Sequence, residues 1–98
     1  MLDTVQIHRI SPADAPWDLL LLADPERRQA EKYMYAGDCS AAVQGGRTVG
    51  VLVLLATEPN TLEIMNIAVG EDLQDQGIGK RLIAEGAKIA IQKKDDTA

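Results

Sequence analysis

The chain has 98 residues, of which 46% are hydrophobic and 26% charged, and its formal net charge is −5. This length is that of one small domain with a modest core, and the composition excludes an intrinsically disordered protein. The acidic balance argues against a nucleic-acid-binding protein, which needs a basic face. The longest apolar stretches, 19–23 and 49–56, are too short to span a bilayer. We therefore expect neither nucleic acid nor membrane as a partner.

The cysteine content and the N-terminal sequence indicate the cellular compartment in which we expect the protein. The single cysteine, Cys39, has no partner for a disulfide within the chain, which suits a reducing environment. The N-terminus carries Asp3 early and lacks the basic start and apolar run of a signal peptide. We expect a cytoplasmic protein, and we predict no bound metal.

The first third of the chain is predicted to form a strand and two helices. Residues 4–10 alternate apolar and polar side chains, as in a half-buried strand. Residues 17–23 carry apolar side chains at helical spacing. A charged amphipathic helix follows over 26–35, and Gly37 ends it.

Three strands with short connections are predicted next. Residues 39–44 are strand-like, and the glycine pair at 45–46 indicates a tight hairpin. Residues 48–57 are nearly all apolar and rich in β-branched side chains, which is typical of a strand buried on both faces. After a turn at 58–60, residues 61–69 form the last predicted strand.

The last predicted helix covers residues 79–94. Its predicted apolar face consists of Leu82, Ile83, Ala87, Ala90 and Ile91. Nothing after this helix pairs with strand 61–69, which would leave a long hydrophobic edge of the kind that soluble proteins avoid. We therefore expect that residues 1–98 are a single but partial domain, or that a partner covers the edge, as in a homo-oligomer.

A glycine-rich loop, DQGIGK at 75–80, joins the last strand to the last helix. Gly77 and Gly79 lack side chains that would keep a phosphate away. The first N–H groups of a helix are unpaired donors near the positive end of its dipole, and the lysine adds charge. The loop is not a Walker A motif, because Arg81 follows the lysine. It is not a dinucleotide fingerprint either, because Leu82 occupies the third glycine position.

The segment 66–83, NIAVGEDLQDQGIGKRLI, resembles the acetyl-coenzyme A motif of the GNAT family of N-acetyltransferases. The family signature Q/R-x-x-G-x-G/A is met by Gln74, Gly77 and Gly79, after a strand that ends in IAV at 67–69. The predicted order β-α-α-β-β-β-α also matches the N-terminal half of the family. The resemblance implies an α+β, acyl-CoA N-acyltransferase-like fold: a central, mostly antiparallel sheet flanked by helices, lacking the C-terminal strands and helix.

The resemblance further implies an enzyme that transfers an acetyl group from acetyl-CoA to a primary amine of a small molecule or peptide. The coenzyme would contact the strand end and the loop at Ile67, Ala68, Val69, Gln74, Asp75, Gln76, Gly77, Ile78, Gly79 and Lys80. Loop amides would hold the pyrophosphate, and the strand backbone would pair with the pantetheine arm. A bulge in the strand would free an N–H to polarise the thioester carbonyl. The alternative is a non-catalytic, truncated module that binds acetyl-CoA or dimerises.

Three further residues are candidates on the substrate side. Glu63 is the candidate general base, and the alternative is a solvent-facing residue at a strand start. Tyr35, near the end of the second helix, is a candidate to face the substrate. Asn66 interrupts an apolar strand, so its carboxamide needs a partner. That partner is either a backbone group at a strand bulge or the substrate.

Overall fold

A computed structural model of the chain describes residues 4–97, and the side chains of residues 4–93. The strands are β1 Gln6–Ile10, β2 Asp38–Gln44, β3 Arg47–Glu58 and β4 Thr61–Val69. The helices are α1 Trp17–Ala23, α2 Arg27–Ala36 and α3 Ile78–Thr97, with 3-10 turns at Pro12–Asp14 and Glu71–Leu73. The predicted order of elements and the α+β class are confirmed. None of the helices within residues 4–97 is long and apolar enough to cross a membrane.

The four strands form one antiparallel sheet in the order β1-β2-β3-β4. The predicted hairpin between β2 and β3 is present, with Gly45 and Gly46 at φ angles of 58° and 76°. Such angles suit a two-residue hairpin loop and favour glycine. Within the described residues β4 pairs only with β3, so its other edge has no strand beside it.

Strand β3 is the centre of two hydrophobic cores, one on each face of the sheet. Residues 49–54 are all buried, as predicted from their unbroken apolar run. Val51 and Val53 pack with the residues of α1 and α2. Leu52 and Leu54 pack with those of α3 on the opposite face. Because side chains alternate along a strand, β3 contributes to both cores.

The buried face of α3 differs from the predicted one. The residues that face the sheet are Ile78, Leu82, Gly86 and Ile89, whereas Ile83 and Ile91 are 51% and 64% exposed. A Cβ on Gly86 would lie 3.1 Å from Cδ2 of Leu52, so the glycine allows the helix to approach the sheet closely. The prediction was right for Leu82 but wrong for Ile83 and Ile91, because it followed the bulky side chains and passed over this glycine.

Strand β4 contains a bulge. Val53 is paired with Asn66, but the next residue of β3, Leu54, is paired with Ile64, so Met65 is the extra residue. Met65 packs against the core beneath α1 and α2, and Asn66 is hydrogen-bonded on that same side. The bulge therefore directs two successive side chains to one face of the sheet.

Candidate active site

A cavity of about 390 Å³ lies where the ends of α1 and β4 meet the start of α3. It is lined by Leu22, Ala23, Ile67, Ala68, Val69, Leu73, Gln74, Asp75, Ile78 and Gly79. Seven of the ten predicted coenzyme-binding residues are in this set, and the other three, Gln76, Gly77 and Lys80, are exposed on the adjoining loop and helix start. Sequence reasoning missed Leu22 and Ala23, because nothing local places the end of α1 against β4.

The loop before α3 is held to the end of β4 by a side chain. Nε2 of Gln74 donates a hydrogen bond to the Val69 carbonyl at 3.1 Å. Asp75 and Gly77 both have left-handed backbone angles, with φ of 69° and 84°. This conformation is uncommon for a residue other than glycine, although aspartate adopts it more readily than most. The glutamine of the motif thus closes the loop against the strand.

The bond from Gln74 also shows how the backbone of β4 is oriented. The Gly70 N–H donates to β3 at 2.9 Å, so the preceding residue, Val69, directs its carbonyl to the outer edge of the sheet, where Gln74 binds it. Alternate residues of an antiparallel strand share the orientation of their N–H and C=O groups. Ile67 therefore presents its backbone groups to the same outer edge, beside the cavity that both residues line.

The first turn of α3 offers unpaired hydrogen-bond donors. The Gly77 carbonyl accepts from the Arg81 N–H at 3.1 Å and begins the helix. The N–H groups of residues 78–80 precede this bond, so they have no intrahelical acceptor, and no other backbone acceptor binds them within the described part of the chain. Lys80 has no ion-pair partner among the described residues. A helix start with these features favours a bound anion.

Neither packing within the described structure nor the backbone angle requires glycine at position 79. A Cβ at this position would meet no heavy atom of the protein within 4 Å, and its φ is not positive. Glycine within a helix nevertheless costs about 1 kcal/mol relative to alanine. The open space lies at the cavity and beside the unpaired N–H groups. It is the space into which a ligand's phosphate would fit.

Asn66 is buried, with 3% of its surface exposed. Its Nδ2 donates to the Leu20 carbonyl at 2.9 Å and to the Tyr33 hydroxyl at 2.8 Å. Its Oδ1 is buried and has no partner among the described residues. The carboxamide thus has a backbone partner, which lies in α1 rather than in the bulged strand itself, while the predicted substrate contact stays a prediction.

The hydroxyl of Tyr33 extends this network. It accepts the bond from Asn66 and donates to Oδ2 of Asp24 at 3.2 Å. Burial raises the pKa of the Tyr33 phenol; the hydrogen bond from Asn66 opposes the rise, and the Asp24 carboxylate adds to it. The phenol therefore stays protonated at neutral pH and keeps its role as a donor.

The two other substrate-side candidates lie outside the lining of the cavity. Glu63 is exposed and pairs with Leu55 of β3. It precedes Ile67 by four residues, which places it ~13 Å away along the strand. Tyr35 is 74% exposed on α2. The structure does not bring either side chain into the cavity, and their assigned roles stay predictions.

Cysteine and metal chemistry are not evident at this site. Cys39 is buried in the core beneath α1 and α2, away from the cavity lining. Burial raises the pKa of its thiol to about 12, against the opposing charge of Arg9. Among the described residues, no three His, Cys, Asp or Glu side chains are grouped to hold a metal ion.

Comparison with known proteins identifies relatives that share this fold and motif. The family model described as "Acetyltransferase (GNAT) family" matches residues 4–97. An uncharacterized N-acetyltransferase, YvbK, of Bacillus subtilis (strain 168) is 45% identical over 84 residues, which cover 86% of this chain and 54% of the relative. The chain thus spans about half the length of that relative.

Two solved structures are similar. An IAA acetyltransferase from Bacillus cereus ATCC 14579 has a TM-score of 0.90 and 48% identity, and the match covers 93% of this chain and 61% of that one. A GNAT family acetyltransferase from Elizabethkingia anophelis, with acetyl-CoA bound, has a TM-score of 0.87 and 37% identity, covering 93% of this chain and 60% of that one. With its fold, its glycine loop and these matches, the chain belongs to the GNAT family of acetyltransferases.

Proposed function

We propose that this protein binds acetyl-CoA in the cavity and transfers the acetyl group to a primary amine of a small molecule or peptide. The observation that carries the proposal is the convergence of three features on one cavity: an outward-facing strand backbone, a glycine with open space above it, and unpaired N–H groups. The family membership and the acetyl-CoA complex of one relative support it.

Each part of the cavity has a proposed task. The N–H groups of residues 78–80 bind the pyrophosphate, and Lys80 supplies a further positive charge. The outward-facing backbone of Ile67 and Val69 pairs with the pantetheine arm, as an added strand would. Bound acetyl-CoA supplies the acetyl thioester. A backbone N–H at this edge polarises its carbonyl and stabilises the charge that develops on the oxygen when an amine attacks.

The proton lost by the attacking amine needs an acceptor. Glu63 is the proposed base, acting through water because it lies some distance along β4 from the strand end. Tyr35 is the proposed contact of the acceptor molecule. We place the protein in the cytoplasm, where its single, buried cysteine would stay reduced.

The test combines binding and turnover. Calorimetry with coenzyme A, with ATP as the control ligand, is expected to show that coenzyme A binds more tightly. A thiol-release assay with acetyl-CoA and a panel of amines is expected to show amine-dependent turnover. Absence of both coenzyme A binding and turnover would refute the proposal. ATP binding as tight as coenzyme A binding would point to a nucleotide site instead.

A second candidate is a non-catalytic module that binds the coenzyme or dimerises. One observation favours it: the candidate base, Glu63, lies outside the cavity lining. Coenzyme A binding without turnover would support this module. For the dimer, we propose that a second copy pairs along the edge of β4 that has no neighbouring strand within residues 4–97. A sedimentation coefficient that corresponds to a monomer at every protein concentration would contradict the dimer.

A further inference from the structure

Asn66 connects the bulged strand to both helices on its face of the sheet. Its two donated bonds end on the Leu20 carbonyl of α1 and on the Tyr33 hydroxyl of α2. The Leu20 carbonyl also accepts the Asp24 N–H, at 3.0 Å, which closes the last turn of α1. The carboxamide is thus attached to the last turn of α1, two residues before Leu22.

Helix α1 needs such an attachment. It has seven residues, and no side chain caps its first residue by a hydrogen bond. Two of its residues, Leu19 and Leu20, are buried. A helix this short is not stable by itself in water. Its last turn nevertheless forms one wall of the cavity through Leu22 and Ala23, opposite Ala68 of β4.

The orientation of the carboxamide follows from its surroundings. If oxygen and nitrogen were exchanged, Oδ1 would face the Leu20 carbonyl, and neither oxygen could donate. The nitrogen therefore faces α1, and Oδ1 is the atom left without a partner among the described residues. A buried oxygen without a partner is costly. An apolar residue would avoid that cost, but it could not bind the end of α1.

We propose that Asn66 is a positioning residue: its carboxamide fixes the last turn of α1 against the bulge of β4 and thereby sets the width of the cavity. The inference rests on the proposed coenzyme function, because it assigns the cavity to coenzyme A. Asn66 itself does not line the cavity. It acts on the ligand through Leu22 and Ala23.

The first test compares three variants in coenzyme A binding. Asn66→Leu keeps the branching at Cγ but removes both hydrogen-bond donors. We expect its dissociation constant for coenzyme A to be at least about tenfold larger than that of the wild type, which corresponds to the loss of one positioning interaction. Tyr33→Phe leaves the bond to Leu20 intact and is expected to have a smaller effect. Ile89→Ala, in the core beneath the distant part of α3, is the control for lost stability. It is expected to bind as the wild type does once corrected for the folded fraction.

The second test needs no variant. The chain has two asparagines, Asn60 and Asn66, so asparagine labelled with ¹⁵N and ¹³C gives two side-chain carboxamide signals. Asn60 is exposed in the turn between β3 and β4 and serves as the internal control. On addition of coenzyme A, we expect the Asn66 signals to shift and its N–H groups to exchange more slowly, with Asn60 unchanged. A residue that only stabilises the fold would not respond to the ligand.

The outcomes separate this inference from the proposed function. If the wild type does not bind coenzyme A, both the proposed function and the positioning role of Asn66 are refuted. If it binds, and the backbone amides of residues 78–80 shift while the Asn66 carboxamide does not, the positioning role is refuted although the coenzyme site stands. Folded Asn66→Leu with wild-type affinity would refute it equally. If Asn66→Leu does not fold, the labelling experiment decides.

Discussion

Replacing Gly79 by alanine is expected to make the protein more stable and its coenzyme binding weaker. A methyl group at this position would meet no protein atom within 4 Å, and the backbone there has no positive φ. Alanine is more favourable than glycine in a helix interior by about 0.5–1 kcal/mol, which is the upper limit for the second residue of α3. For a domain of this size, a gain up to that limit corresponds to a rise of at most roughly 8 °C in the melting temperature. The same methyl group would occupy the space above the first turn of α3, where we place the pyrophosphate.

The assay is thermal unfolding of each protein in parallel with coenzyme A calorimetry. Gly86→Ala, in the same helix, is the matched control. Its Cβ would lie 3.1 Å from the fully buried Leu52 side chain, so overpacking of ~1–3 kcal/mol is expected to outweigh the gain in helix propensity. Gly86→Ala should therefore be less stable but unchanged in affinity per folded molecule. Gly79→Ala with wild-type affinity would refute the phosphate site, and a lower melting temperature would refute the idea that the fold does not need this glycine.

Three further changes have expected outcomes. Lys80→Gln should weaken coenzyme A binding about two- to fivefold, and calorimetry at increasing salt should show the difference shrink; a difference independent of salt would contradict a role through charge. Gln74→Ala should lose the bond to Val69, with about 1 kcal/mol of stability in urea unfolding and weaker coenzyme binding, whereas Gln92→Ala, exposed on α3 away from the cavity, should change neither. Native Cys39 should react with thiol reagents only on unfolding. Its pKa rises from 9.0 to about 12 on folding, so its contribution to stability is complete below pH 9 and is lost as the pH rises towards 12; stability measured across this range with a Cys39→Ala control tests the sign.

Local signals in the sequence were sufficient for much of the fold. The glycine pair at 45–46 predicted the hairpin because few other residues adopt its backbone angles. The apolar run at 48–57 predicted a strand buried on both faces, and residues 49–54 are so. The motif around the glycine loop predicted ten coenzyme contacts, and seven of them line one cavity, while their contact with the coenzyme stays a prediction. Each of these features depends on residues that are adjacent in the chain.

The prediction for the face of α3 shows where local signals fail. Ile83 and Ile91 are as apolar as the residues that the helix buries, so periodicity alone chose the wrong side. Gly86 determines the contact face, because its missing side chain lets the helix approach Leu52. Which residue of the helix lies closest to the sheet depends on how the two elements pack, and the sequence of the helix alone does not show it.

The sequence by itself therefore determined the order of the elements, the turns and the coenzyme motif, since periodicity, turn chemistry and motif spacing act over a few neighbouring residues. Only the tertiary structure decided what encloses that motif. The wall formed by Leu22 and Ala23, and the bond from Asn66 to a carbonyl 46 residues away in the chain, exist because the sheet brings α1 onto the bulge of β4. Contacts between segments so distant in sequence depend on packing, and no local pattern encodes them.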